Sequence, residues 1–208
     1  MHVDIKNILE TLPIISKMVT SSQLTHILNN LNTILKENIQ GDIVELGCNV
    51  GTTSLFIRKL LDNFCSTKNF FVYDSFEGLP PKQIEDETLH QTQYKEGSCK
   101  SSLEKFSDNF EIFQLKKPDI NVGWFKEIHD DKYPNQIAFA FFDGDFYSSI
   151  IDSFEKVYPK LSPGARIVIH DFGWDALPGV KKACDDFLKD KPEKMELLEI
   201  GVGLMIKQ

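Results

Sequence analysis

The chain has 208 residues, 23 of them basic and 31 acidic, for a formal net charge of −8. That length fits one domain that buries a large core without metals or disulfides, and 41% hydrophobic with 26% charged residues argues against wholesale disorder. The acidic balance argues against a nucleic-acid binder with a general basic surface, because neutralising phosphates takes clustered Lys and Arg.

No run approaches the ~20 apolar residues of a membrane span; the longest, Ile137–Phe142, has strand length. The start, Met1-His2-Val3-Asp4, has neither a basic nor an apolar leader region, so no secretory signal is expected. Cys48, Cys65, Cys99 and Cys184 make no Cys-x-x-Cys pair. Four reduced thiols and a cytoplasmic location are the expectation.

Residues 1–40 read as an N-terminal helical cap on a domain spanning 41–208. Leu24, Ile27, Leu28, Leu31, Ile34 and Leu35 form an amphipathic stripe. Ser21 or Ser22 is suited to cap its start, and Gly41 to its C-terminal turn. Residues 43–46 then read as a strand, 47–51 as a glycine loop and 52–64 as a helix. A second strand, 70–73, ends at Asp74. Residues 77–81 are a turn, and 82–100 read as an irregular functional loop or lid. Ser101-Ser102 is placed to cap a helix to about 109. Strand-like pieces follow at 111–114 and 120–124. Residues 137–142 read as a buried strand, 147–161 as a helix, 162–164 as a turn, 165–169 as a strand and 180–189 as a helix. The last two strands, 195–200 and 202–206, form a hairpin around Gly201.

Strands alternating with helices imply an α/β fold, a Rossmann-like doubly wound and mostly parallel sheet, with an antiparallel C-terminal hairpin. In such sheets ligands sit at the carboxyl ends of the strands. Residues 45–51, Asp74-Ser75, 143–145 and His170-Asp171 occupy four of those ends.

In the loop Glu45-Leu46-Gly47-Cys48-Asn49-Val50-Gly51, Gly47 permits a sharp turn, and Gly51 lets a ligand approach the backbone. Free N–H groups near Thr52 and Thr53 open the next helix toward the same crevice. Asp74 is placed to accept from a ribose diol. The spacing is Gly-x-x-x-Gly, not the Gly-x-Gly-x-x-Gly of pyrophosphate cofactors. With Glu45 before the first glycine and Asp74 ending strand two, the segment resembles the first motif of class I S-adenosylmethionine-dependent methyltransferases.

Three further strings are more distinctive: Tyr73-Asp74-Ser75-Phe76-Glu77-Gly78-Leu79-Pro80, Phe142-Asp143-Gly144-Asp145-Phe146-Tyr147-Ser148-Ser149, and Val157-Tyr158-Pro159-Lys160-Leu161-Ser162-Pro163-Gly164. In this order they resemble the macrocin O-methyltransferase family, which modifies sugar hydroxyls of macrolide antibiotics. The resemblance covers roughly residues 22–190. It implies S-adenosylmethionine as cofactor, bound by Glu45, Gly47, Asn49, Gly51, Thr53, Asp74, Ser75, Phe76 and Asp143. It also implies a divalent metal, magnesium or manganese, that engages neighbouring acceptor hydroxyls.

The chemistry accounts for the acids. A sugar hydroxyl is a poor nucleophile at neutral pH, and a metal lowers its pKa and fixes its position. Hard cations take oxygen ligands, so Asp143 and Asp171 are metal candidates, and His170 beside them is the third. Asp143 or His170 is the candidate base. Family members usually carry two adjacent acids where this chain has His170-Asp171, and imidazole favours zinc, iron or manganese over magnesium. Asp145 either joins Asp143 at the site or caps the helix starting near Tyr147.

Trp174 either lines the acceptor pocket or closes the core, and Trp124 and Phe125 pack in the core or at the cofactor's edge. Cys48 reads as a small buried hydrophobe. His129 reads as solvated, and His26 and His90 have no partner signal. The acceptor is expected to be a glycan or small molecule, with no nucleic acid or membrane partner, and nothing excludes a homo-oligomer. The alternatives are a nucleotide-dependent oxidoreductase on the same fold, a non-catalytic relative, and a catechol-type phenol methyltransferase.

Overall fold

The computed structural model describes residues 4–88 and 94–208. The readings of positions 1–3, of His90 and of the middle of the 82–100 stretch lie outside the described residues. The N-terminal region forms two helices, not one. Helix α1, Ile5–Thr11, is capped by Asp4, which accepts from the Lys6 N–H. Leu12 is its C-cap, and Pro13 after it cannot continue a helix. Helix α2, Ser21–Lys36, starts with a reciprocal cap between Thr20 and Gln23, so Thr20 takes the place expected of Ser21 or Ser22. Its far end closes through Asn38, at φ 52°, with the Ile39 N–H donating to the Ile34 carbonyl. Gly41 therefore does not terminate α2. It lets the chain enter the sheet, because a Cβ there would lie 2.8 Å from the backbone of residues 136–138.

Seven strands follow: β1 Asp42–Leu46, β2 Phe70–Asp74, β3 Asp119–Val122, β4 Ile137–Phe142, β5 Leu161–His170, β6 Glu196–Glu199 and β7 Val202–Ile206. They form one sheet in the order β3-β2-β1-β4-β5-β7-β6. All neighbouring pairs from β3 to β5 are parallel. The terminal hairpin folds back so that its second strand, β7, inserts antiparallel beside β5, and β6 becomes the edge. The connecting helices are α3 Thr52–Asn63, α4 Leu103–Ile112, α5 Tyr147–Val157 and α6 Pro178–Leu188.

Two expected elements differ. Residues 111–114 are not a strand. They complete α4, which Ser102 caps, and the Leu115 N–H closes back on the Phe110 carbonyl. Residues 162–164 are not a separate turn but lie inside β5. Ile137 pairs with Leu161 and Phe139 with Arg166, so three extra residues bulge between those pairs.

Both sheet faces are covered. Helices α1 to α4 share one core with Ile43, Val72, Phe139, Phe141 and Val168. Helices α5 and α6 share the other with Val44, Leu46, Ala140, Phe142 and Ile169. The period-2 alternation of each strand divides its side chains between the layers. Phe56, Phe106, Phe110, Phe139, Phe141, Phe142, Phe146 and Phe154 are fully buried. Each contributes roughly 1.5–3 kcal/mol by leaving water. No helix among the described residues is long and apolar enough to cross a membrane.

Candidate active site

The order of the sheet reverses beside β1, whose neighbours β2 and β4 lead their connections to opposite faces. A crevice opens at that point in folds of this type. Here it is a cleft of about 420 Å³, lined among others by Gly47, Asn49, Asp74, Ser75, Asp143, His170 and Asp171. Each of the four contributing strands turns over the edge through a residue with left-handed backbone: Asn49 (φ 48°), Phe76 (φ 58°), Asp145 (φ 59°) and Asp171 (φ 59°). Asn and Asp tolerate that conformation; a phenylalanine held there is strained.

The glycine loop is built around one carboxylate. Asp74 Oδ2 accepts from the Cys48 and Asn49 N–H groups, both at 2.8 Å, and Oδ1 from the Phe76 N–H at 2.7 Å. The carboxylate expected to hold a ribose thus first ties the ends of β1 and β2 together. Gly47 is required because a Cβ would fall 2.0 Å from the Asp143 carbonyl oxygen. The Asn49 amide donates to the Cys99 carbonyl at 2.6 Å, joining the loop to residues 94–100.

Four residues assigned to the cofactor from sequence are not part of the cleft lining. Glu45 is buried and accepts from the Ser54 hydroxyl at 2.5 Å. Burial pushes its pKa well up, against the Ser54 bond, and Asp143 and Asp74 add to the rise. Gly51 caps α3, and a Cβ on it would meet the Phe106 ring at 3.0 Å. Its missing side chain makes room for the α4 ring packed beside it, and Gly51 is not among the residues lining the cleft. Thr53 is buried on α3. Phe76 is buried, its ring edge-on to Phe106 at 6.2 Å.

The β4 and β5 ends hold an acidic cluster. His170 Nδ1 lies 2.9 Å from Asp143 Oδ1 and 3.0 Å from Asp171 Oδ2. His170 is 5% exposed, and its Nε2 has no partner among the described residues. Burial opposes a charge on this imidazole, yet the two facing carboxylates raise its pKa well above the usual histidine value. Asp145 does not cap α5. The cap residue is Phe146, and the Tyr147 N–H donates instead to Asp86 at 2.7 Å. Asp145 turns toward Asp171. Burial first, then Asp171 and Asp143, push its pKa well up. Cys99, also on the cleft, faces Asp145; burial and the surrounding acids push its thiol up to about 12.

Trp174 lines the cleft edge-on to Tyr94, with ring centroids 5.9 Å apart. Trp124 and Phe125 line it too. Sequence reasoning missed Lys17, Met18, Tyr94 and Asp152 as lining residues. The first two lie between helices and Tyr94 in an aperiodic stretch, so no pattern marked them. Cys48 is buried, with its thiol pushed well up by burial and by Asp74 and Glu45. His129 is exposed beside Asp131, and His26 lies 3.8 Å from Glu199.

A sheet of this order with one reversed strand, a glycine loop after β1 and acids at its carboxyl edge is the Rossmann-like fold of class I methyltransferases. The family model for Macrocin-O-methyltransferase (TylF) matches residues 9–203, and the chain belongs to that family. It is 31% identical over 165 residues to the 8-demethyl-8-(2,3-dimethoxy-alpha-L-rhamnosyl)-tetracenomycin-C 4'-O-methyltransferase of Streptomyces olivaceus, covering 76% of this chain and 63% of the relative. This chain thus spans less than two thirds of that protein's length. It is 26% identical to the mycinamicin III 3''-O-methyltransferase of Micromonospora griseorubida, over 88% of this chain and 74% of the relative. Among solved structures, the O-methyltransferase NovP superposes with a TM-score of 0.80 at 23% identity, over 92% of this chain and 82% of NovP.

Proposed function

We propose that the chain is an S-adenosylmethionine-dependent O-methyltransferase acting on a hydroxyl of a sugar, glycan or other small molecule. The observation that carries this reading is the placement of Asp143 at the β4 end. It shares the cleft with the glycine loop on one side and His170 and Asp171 on the other. Membership of a family whose similar members are named for O-methylation supports it, and two of those names specify 4' or 3'' positions.

S-adenosylmethionine supplies an electrophilic methyl on a positively charged sulfur. The cleft suits that charge, because Asp74, Asp143, Asp145 and Asp171 line it. Of the residues assigned to the cofactor, Gly47, Asn49, Asp74, Ser75 and Asp143 line the cleft. Asp143 turns one oxygen to His170 and remains 29% exposed, which leaves it open to an acceptor hydroxyl. With bound S-adenosylmethionine supplying the methyl, Asp143 would receive the proton of the acceptor hydroxyl. His170 orients that carboxylate. Trp174 and Tyr94 offer an apolar wall for the body of the acceptor.

The residues present fit a divalent cation. Asp143, His170 and Asp171 bring one donor atom each within 4.8 Å of one another. The two His170 separations of 2.9 and 3.0 Å are near those of adjacent ligands on an ion with bonds of about 2.1 Å. Such a cation would polarise the acceptor hydroxyl and lower its pKa.

Calorimetric titration with S-adenosylhomocysteine and labelled-methyl transfer to a panel of glycosides, sugars and catechols test this reading. Micromolar or tighter binding and transfer to a glycoside or sugar are expected. No binding of either cofactor form would refute it. Transfer confined to catechols would move the acceptor to small phenols.

A further inference from the structure

We propose that His170 makes this centre selective for a first-row transition ion, Mn2+ or Fe2+, over Mg2+. The inference rests on the metal reading given above and concerns the one position where the chain departs from adjacent acids. His170 ends β5 and is almost wholly buried. Its Nε2 lies where it reaches neither solvent nor any described partner, with the Phe141 ring edge-on at 6.3 Å. An unsatisfied buried polar atom costs about 1–3 kcal/mol. In the fold itself Nδ1 shares a hydrogen bond with Asp143 Oδ1 at 2.9 Å, and the same atom is the donor that a cation would engage. What it offers is Nδ1, and Nδ1 alone faces Asp143 and Asp171.

The donor set is thus one imidazole nitrogen and two carboxylates. Magnesium takes oxygen ligands and keeps its waters. Manganese and iron accept imidazole together with carboxylate. Replacing a carboxylate by imidazole also removes one negative charge from the ligand set, which weakens a hard ion more than a borderline one. Among the described residues no second group on Nε2 stiffens the ring or raises its basicity, as usually happens for a metal-bound histidine. Selectivity here comes from the identity of the donor atom itself.

The test uses the full chain, stripped of metal by chelator and titrated calorimetrically with MnCl2 and with MgCl2. Pulsed electron paramagnetic resonance of the Mn2+ form reports whether an imidazole 14N is bound to the ion. Mn2+ is expected to bind at least about tenfold more tightly than Mg2+, with the nitrogen signal present. In His170→Asp the signal should vanish and the Mn2+ to Mg2+ affinity ratio should fall by about tenfold or more. S-adenosylhomocysteine binding serves as the check that the variant is folded. If the variant does not fold, the nitrogen signal of the unaltered chain decides. An unchanged ratio, or Mn2+ bound without the nitrogen signal, overturns the role of His170 and leaves the metal reading standing. Binding of neither ion overturns both.

Discussion

The two corners of the cleft are built on opposite terms. At the β1–β2 corner one carboxylate, Asp74, accepts three backbone N–H groups, and the Asn49 side chain bonds both to its neighbour Val50 and to Cys99. That corner spends its polar groups on holding itself still. At the β4–β5 corner Asp143 and Asp171 face a single imidazole whose second nitrogen has no described partner, and Asp145 presses on Asp171. Like charges held this close, with an orphaned buried atom, are an unfavourable arrangement that the surrounding core must sustain. A preformed cradle suits binding, whereas held, unsatisfied charge suits chemistry.

Substitutions should separate the corners. The largest effect is expected for Asp143→Ala: transfer should fall by about 10²–10⁴, while S-adenosylhomocysteine affinity, measured by titration, stays within about threefold of the parent as expected for a group acting only in the transition state. Asp74→Ala should behave the other way. Three N–H groups lose their acceptor, so a denaturant titration should show a loss of about 2–4 kcal/mol, with weakened cofactor binding. Equal kinetic and binding losses in both variants would erase the distinction between the corners.

Gly51→Ala is a finer probe of the first corner. The residue sits at φ 87°, and the added carbon would press on Phe106. A loss of about 1–2 kcal/mol is expected in thermal unfolding, with cofactor affinity nearly unchanged. A large affinity loss without a stability loss would return Gly51 to the ligand-facing role its spacing suggested.

The smallest effect lies away from both corners. Glu193 is buried at the C-terminus, where burial alone would raise its pKa, but Lys207, Tyr158 and the Gln208 N–H hold it down to about 2. A carboxyl depressed in the folded state contributes stability above its unfolded pKa of about 4.3. That contribution is lost as pH falls from there toward 2. Glu193→Gln should therefore flatten the acid limb of the stability profile between about pH 5 and pH 2 without changing transfer at neutral pH.

The sequence pattern carries much of the fold. Period-3.6 stripes marked α2 and α3, and the unbroken run Ile137–Phe142 marked the central strand, because buried parallel strands have no polar face. The strand-end acids were legible because polar residues directly after apolar runs have few other places to go. What failed depended on distant partners. The Gly-x-x-x-Gly spacing did not show that Gly51 faces α4. Asp145 near a helix start looked like a cap until Asp86, 59 positions earlier in the chain, proved to fill that role. The lining contributed by Lys17, Met18 and Tyr94 comes from aperiodic segments, where only the folded chain decides what is adjacent.

In the proposed reaction Asp143 takes the acceptor's proton in a cleft whose other corner binds the cofactor. Single-turnover transfer of a labelled methyl from bound S-adenosylmethionine to a glycoside acceptor, compared between the parent chain and Asp143→Asn, tests it most directly. Cofactor loading is expected to be equal in both proteins and transfer slowed at least about a hundredfold in the variant. Equal loading with equal rates of transfer would contradict it.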